Sequence, residues 1–360
     1  MRVMDFTKAA SPRLAVEVDW APSYELLMSL TKWTTRESEA TYDEGPQWFD
    51  KVRTKMSPEL LAALGRLGRV AKPWGGLIRP LRQEPVARQV PDLIDRIAAI
   101  DPVELRLNLL WFYGPWNRGA AHLDRIRAAA EGDRAAQRAL LANPAYLSED
   151  TPDTYRRLMA LDGESTKKTI LEILRRWYDE VFAEDEARLS AILRRDADAK
   201  RTLAGTTSPE DLIERATNGL QYTPQPWISR VLLVPHVSMR PWNVMNGYDD
   251  VSVVCYPVAD ESLGVDVTAP PARLVRLHKA LGDEKRLRIL KRLARSGATL
   301  QELADEVGLA KSSTHHHMVI LRSAGLTRVT LEDDSRYTLR REFIPEASGW
   351  LLAFLEGSDS

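Results

Sequence analysis

The chain has 360 residues with a formal net charge of −1, and at 44% hydrophobic and 28% charged it has the composition of an ordinary globular protein, long enough for two domains. No stretch approaches the roughly 20 apolar residues of a membrane span, and the opening MRVMDFTKAASPRL lacks the apolar run of a signal peptide. The one cysteine, Cys255, excludes an internal disulfide and a cysteine-rich zinc site, so a cytoplasmic protein with no membrane contact is expected.

The first part of the chain reads mostly as helix. Pro22 to Arg36 has apolar residues at helical spacing, as does Pro85 to Leu110, where Asp101-Pro102 should break or restart the helix. The strongest periodicity runs from Ser165 to Leu203. Ile170, Ile173, Leu174, Trp177, Tyr178, Val181 and Phe182 form one stripe, continued by Leu189, Ile192 and Leu193. Ser165 is the expected cap and Gly205 the expected stop. A single helix of that length would run roughly 55 Å, long enough to kink or to carry a subunit contact.

Two β-rich runs follow, Ile228 to Val234 and Val251 to Val258, with Asn246-Gly247 between them. They are expected to pair and pack on the helices. Within the helical part, WFYGPWNRG (111–119) fits either an apolar pocket or plain core packing. Its Gly114 to Gly119 has the glycine spacing of a phosphate loop, but Ala120 replaces the lysine that such a loop requires. His122 and His236 stand alone and read as packed or solvated. No catalytic signature is present.

The stretch GVDVTAPPA (264–272) separates two regimes. Nine of ten tryptophans precede residue 243. From Arg273 to Arg341 there are 15 Lys or Arg against 8 Asp or Glu, a net of +7, which leaves −8 for the remainder. Such a basic segment fits either a polyanionic partner or solvated helix faces. The expected boundary puts residues 1–266 in an α-rich domain carrying a short β hairpin or sheet, and residues 267–360 in a second domain.

In that second domain Asp283 to Arg295 places Leu287, Leu290, Leu293 and Ala294 on one face. Leu300, Leu303, Ala304 and Val307 follow at i, i+3, i+4 and i+7, with Thr299 as cap and Gly308 as stop. A further helix starts almost at once, with Thr314, Met318 and Leu321 on one face, His317 beside them, and Gly325 as its stop. Two short helices joined by a tight glycine turn form a helix-turn-helix. Leu326 to Leu331 and Arg336 to Arg340 flank the polar tip EDDS and read as a hairpin, completing a winged helix.

The run LGDEKRLRILKRLARSGATLQELADEVGLAKSSTHHHMVILRSAGL resembles the winged helix of ArsR-type transcription regulators. GDEKRLRIL, ELADEVGLAKSS, the His-His pair with an apolar residue after it, and LRSAGL carry the resemblance. It covers about Leu274 to Arg341. The part before it weakly resembles an uncharacterised domain found ahead of such winged helices in actinobacterial-type regulators, which supplies no activity. Two features depart from the ArsR pattern. Ala310 stands where a serine often caps the recognition helix, leaving Ser312 or Ser313 to take over. The wing tip is Glu332-Asp333-Asp334, whose carboxylates would repel phosphate, so that Arg336 is left as the wing contact.

Half of the six histidines lie at 315–317. Consecutive helical residues are rotated by about 100°, so these three side chains cannot converge on one ion. His317 is expected beside the core. His315 and His316 are expected to face outward with Lys311, Ser312 and Ser313, where such groups reach phosphates and base edges. Arg322 completes the expected DNA-binding set with Arg336. Many ArsR-type proteins bind metals through a Cys-x-Cys pair, but Thr299 and Gln301 stand at those positions here. Others use histidines on the last helix, and Phe343 to Gly357 has none. The resemblance therefore implies a homodimeric repressor on a palindromic duplex-DNA operator, without metal or cofactor. The α-rich domain would sense a small-molecule effector or provide dimer contacts, and Ala272 to Leu281 with Phe343 to Leu355 would contribute to the dimer. The alternative is an enzyme with an appended DNA-binding domain.

Overall fold

The computed structural model describes residues 14–35, 39–68, 72–110, 120–143, 152–223, 225–264, 270–330 and 335–356. Helices dominate, with eight short strands among the described residues: β1 (Ala15–Val18), β2 (Leu220–Gln221), β3 (Arg230–His236), β4 (Val244–Tyr248), β5 (Val251–Pro257), β6 (Ala298–Thr299), β7 (Thr327–Thr330) and β8 (Arg336–Leu339). Two four-stranded sheets result, ordered β1-β3-β5-β4 and β2-β7-β8-β6. The segment 111–119, with its aromatic and glycine pattern, and the wing tip 332–334 lie outside the described residues.

The first sheet explains two apolar runs that do not alternate. β3 lies parallel to both β1 and β5, and only β4 runs antiparallel, against β5. Both faces are covered. Leu232, Val234, Val253 and Cys255 enter the main helical core, while Val231, Leu233, Val254 and Tyr256 pack into a second core with Leu212, Ile213 and Ala216. A parallel sheet buried on both sides needs apolar residues at every position, which is the pattern of VLLV and VVCY. The two expected runs thus pair, though not as a hairpin. Asn246-Gly247 sits inside β4, and the turn is made beyond it, with Asp249 in the left-handed region at φ 47°. Burial pushes the Cys255 thiol up to about 12 and takes His236 down to about 3. His236 is packed, its Nε2 3.0 Å from the Trp242 carbonyl.

The helix Pro22–Thr34 runs through the centre and is buried on nearly every side, including Glu25 and Lys32. Its charged groups are accommodated. Glu25 accepts from the backbone N–H of Val237 (3.0 Å) and Ser238 (2.7 Å) and from the Ser238 hydroxyl (2.6 Å). Lys32 donates to Glu44 at 2.6 Å and lies 3.9 Å from the Trp48 ring centre. The helix break expected at Asp101-Pro102 is present. Asp101 caps Pro102–Leu109 by accepting from Val103 N (2.9 Å) and Glu104 N (3.2 Å).

The long helix expected over 165–203 is two helices, Gly163–Trp177 and Glu186–Ala204, joined through a π-turn at Tyr178–Phe182. The Ala183 N–H reaches back to the Tyr178 carbonyl, so one extra residue is accommodated and the stripe shifts. Asp162, rather than Ser165, is the cap, accepting from Ser165 N at 2.8 Å. Gly205 does end the second helix, with φ −69°, so no left-handed residue is involved.

The carboxy-terminal helices are Ala272–Leu281, Glu284–Leu293, Leu300–Val307, Lys311–Ser323 and Phe343–Glu356. They enclose a third core of Leu277, Ile289, Leu293, Leu303, Met318, Leu321 and Phe343, among others. Ile289 and Leu293 form the buried stripe of Glu284–Leu293, and Leu287 points outward at 48% exposure, contrary to the expected face. Asp283 caps this helix, accepting from Arg286 N at 3.0 Å.

Contacts bind this unit to the earlier part of the chain. β2 adds to β7 in parallel register, Leu220 opposite Val329. Arg328 pairs with Glu214, and Arg340 donates to the Asn218 side chain at 2.9 Å. Gly325 has φ 75°, and a Cβ there would stand 2.9 Å from Asn218 Oδ1, so backbone conformation and close approach both demand glycine. At the other end, Arg240 bonds to Asp43 (3.1 Å), Asp260 and the Val258 carbonyl, while Arg276 reaches Asp43 (2.7 Å) and Asp260 (3.3 Å).

Burial would raise the Asp260 carboxyl, but Arg276 and Arg240 outweigh it and hold it below the usual carboxylate range. A depressed folded-state pKa stabilises above the unfolded value and loses that contribution as pH falls through the folded value. At pH 7, Asp260→Asn should therefore cost about 1–3 kcal/mol, because the buried Arg240 keeps Asp43 and the Val258 carbonyl but loses one of its two carboxylates. The gap from the parent should narrow as pH drops below the ordinary carboxylate value of about 3.9. Urea unfolding followed by tryptophan fluorescence across that range measures both; a gap that is unchanged at low pH contradicts the assignment.

Candidate nucleic-acid interface

The first helix of the motif, Leu300–Val307, is fixed at both ends by local chemistry. The Thr299 hydroxyl accepts from Glu302 N (3.2 Å) and the Glu302 carboxylate accepts from Thr299 N (2.7 Å), a reciprocal capping box. Gly308, at φ 73°, takes the left-handed position that ends it, and the N–H groups of Gly308 and Leu309 both return to the Ala304 carbonyl. Two residues later the chain turns into Lys311–Ser323.

That second helix begins at Ala310 with no side-chain cap. Neither Ser312 nor Ser313 substitutes. Its first-turn N–H groups are left for an external acceptor, which is the property that lets helix starts hold phosphate. Thr314, Met318 and Leu321 are buried and anchor the helix to the third core. Lys311, Ser312, Ser313, His315 and His316 are all exposed. The structure brings these five expected residues together along the first turn and a half.

The three histidines do diverge. His315 and His316 face solvent, while His317 is half-buried with Nδ1 4.0 Å from Asp283. Burial lowers the His317 pKa despite that carboxylate, which favours the neutral ring. Arg322 does not join the outward set. It is half-buried, and burial lowers its pKa, partly offset by Tyr337. Arg336 is exposed at the start of β8, where it donates to the Gly297 carbonyl at 3.0 Å and lies 3.7 Å from Glu302. It is therefore fastened to the first helix of the motif.

One outward residue was missed in the sequence. Ser312, His316, Val319 and Ser323 stand at i, i+4, i+7 and i+11, a single row opposite the buried face, with Ser312 and His316 exposed and Val319 and Ser323 half-buried as Arg322 is. Val319 reads as core from its type alone, and only its spacing from Ser312 and His316 marks it as part of that row. Beside the motif, β7 and β8 pair antiparallel with Thr330 opposite Arg336, and β6 closes the far edge. Part of the basic excess is internally spent: Arg288 pairs with Glu284 and Arg292 with Glu306. Lys285, Lys291, Arg295 and Lys311 are exposed and make no ion pair among the described residues.

No helix among the described residues is long and apolar enough to cross a membrane. Comparison with known proteins identifies the same segment. Residues 281–330 match the family described as a helix-turn-helix domain. Over 69 residues the chain is 35% identical to an uncharacterized HTH-type transcriptional regulator, YceK, of Bacillus subtilis (strain 168). The aligned part is 19% of this chain and 69% of the relative. No solved structure matches. With a helix-turn-helix whose second helix is anchored from within and polar without, the chain belongs to the HTH-type transcriptional regulators.

Proposed function

We propose that this protein is a homodimeric repressor of the ArsR type, acting in the cytoplasm on a palindromic operator. Residues 267–360 form the winged-helix DNA-binding domain, and residues 1–266 transmit a non-metal signal to it rather than catalyse a reaction. The observation that carries this reading is the outward surface of Lys311–Ser323, solvent-facing and uncapped on a helix anchored by Thr314, Met318 and Leu321. Placed in the major groove, such a helix presents its N-terminal residues to base edges. Lys311 and the free first-turn N–H groups meet phosphate, His315 and His316 offer donors to guanine acceptors, and Val319 contacts a thymine methyl. Arg336 holds the wing against the backbone beside it.

Dimerisation is supported by the last helix. Phe343 and Trp350 pack inward, their rings 5.0 Å apart edge to face. Ile344, Leu352 and Leu355 share another side and are 46%, 58% and 69% exposed. An apolar helix face open to water is unfavourable unless a partner covers it, and a two-fold partner sets half-sites roughly 34–36 Å apart.

Selection from random duplex DNA should return an inverted repeat. On that site Lys311→Ala should reduce the slope of log affinity against log salt by about 0.9, the loss of one phosphate contact, and the double variant His315→Ala, His316→Ala should lose about 1–3 kcal/mol of discrimination; a double variant that binds as the parent does would remove these residues from the reading face. Replacing Leu352 and Leu355 with Glu should give monomers in analytical ultracentrifugation and weaken operator binding with them, whereas an unaltered dimer would place the contact elsewhere. Stoichiometric zinc, cadmium or nickel should leave operator affinity unchanged in gel-shift titrations, and tight binding of one ion per subunit with release of DNA would refute the non-metal reading.

A further inference from the structure

A cleft of about 260 Å³ lies where the helical body meets the DNA-binding unit. Its floor is the buried arginine network already described, and its C-terminal wall is made by Ala324, Phe343 and Trp350. The cleft therefore touches the end of the recognition helix and the inner side of the helix whose outer side carries the proposed dimer contact.

Its charge is unbalanced. Lys200, Arg215, Arg240, Arg273 and Arg276 line it against Asp43, Asp260 and Glu261. The three acids are committed. Asp43 and Asp260 each serve both Arg240 and Arg276, and Glu261 accepts from Arg273 at 2.8 Å. Lys200 is held by the buried Asp196 at 3.4 Å, and Arg215 is exposed with no ion pair among the described residues. The buried Nε groups of Arg273 and Arg276 have no acceptor among the described residues. Arginine can only donate, so what the cleft lacks is an acceptor-rich, negatively charged group. Beside these donors the wall is flat and apolar. The Arg273 guanidinium lies 4.5 Å from the Trp350 ring centre, with Phe343 edge-on to the same ring. The volume is close to the lower end of small-ligand pockets, roughly 300–1,000 Å³.

We propose that this cleft binds a small organic anion with a flat apolar body, a carboxylate or a phosphate monoester, and that this anion is the signal that modulates operator binding. The inference rests on the DNA-binding reading above for its regulatory half but not for the binding site itself. The anion pairs with the exposed Arg215 and with the Arg273 guanidinium beside Trp350, and its ring packs against Trp350. Because the ligand sits between the two units, its occupancy sets how the last helix lies against the body. Operator DNA and anion must then change each other's affinity by the same factor.

The test is titration calorimetry of the full chain at fixed ionic strength with benzoate, phenyl phosphate, neutral benzamide and inorganic phosphate. Benzoate or phenyl phosphate should bind once per chain, at least tenfold more tightly than benzamide and inorganic phosphate, and the stronger of the two identifies the anionic group. Arg215→Glu should weaken that binding at least tenfold, because Arg215 is exposed and supports no other contact through its side chain among the described residues. Arg134→Glu, an exposed change outside the cleft, should not. No binding by either aromatic anion below about 1 mM (about −4 kcal/mol), equal binding of benzamide, or an Arg215→Glu variant that binds like the parent would each overturn the site. Gel shifts on the selected operator separate the two halves of the proposal. An anion that binds in the cleft but leaves operator affinity unchanged overturns the regulatory role alone. An intact operator complex with no anion binding overturns the cleft and leaves the DNA-binding reading standing.

Discussion

Arg240 is the residue on which the arrangement of this protein depends. Its guanidinium is almost entirely buried, and its donors are divided among Asp43, Asp260 and the Val258 carbonyl. These partners come from two separate stretches of the body, residue 43 and residues 258–260, and Arg276 of the carboxy-terminal unit shares both carboxylates. A buried guanidinium is tolerable only when paired and hydrogen-bonded. The requirement therefore fixes where the end of the first sheet, the loop after it and the helix Ala272–Leu281 stand relative to one another. It also makes the junction polar. The DNA-binding unit is held to the body by directional bonds and one strand pair, with Val329 and Tyr337 adding apolar contact to the second core.

That choice of attachment has a mechanical consequence. Apolar cores are close-packed and resist rearrangement, whereas an ion-pair network exchanges partners when a new charge enters. The β2 and β7 pairing and the Arg328–Glu214 contact brace the hairpin at one side. The Arg240 network braces the helix before the motif at the other. The helix-turn-helix lies between, supported by its own core of Leu303, Met318, Leu321 and their neighbours. Of its outward row, Ser312 and His316 are fully exposed.

The body itself achieves stability in an unusual way for its central helix. Pro22–Thr34 lies in the middle of the helical layer and still contains Glu25 and Lys32. Each is answered at short range, Glu25 by the Val237-Ser238 backbone and Lys32 by Glu44 and the Trp48 ring. The loop that satisfies Glu25 leads directly into Arg240. The buried charges of the body and the junction are therefore positioned by the same turn of chain.

Much of the motif was legible in the amino-acid sequence, because its determinants are local. Thr299 with Glu302, the left-handed Gly308 and the spacing of Thr314, Met318 and Leu321 act within one or two turns of helix, and short-range steric and hydrogen-bonding rules suffice to read them. The outward placement of His315 and His316 followed from the 100° rotation per residue alone. The tertiary structure decided what depends on partners far away in the chain. It set the parallel pairing of β3 and β5, since apolar runs without alternation say that both faces are covered but not by what. It divided 163–204 into two helices, because one extra residue in a turn is invisible to a periodicity that resumes on the far side. It left Arg322 half-buried and Leu287 outward. It brought residues 43, 240, 260 and 276 together, for which no sequence pattern exists, because an ion-pair network is specified by where the backbone delivers its charges and not by their spacing along the chain.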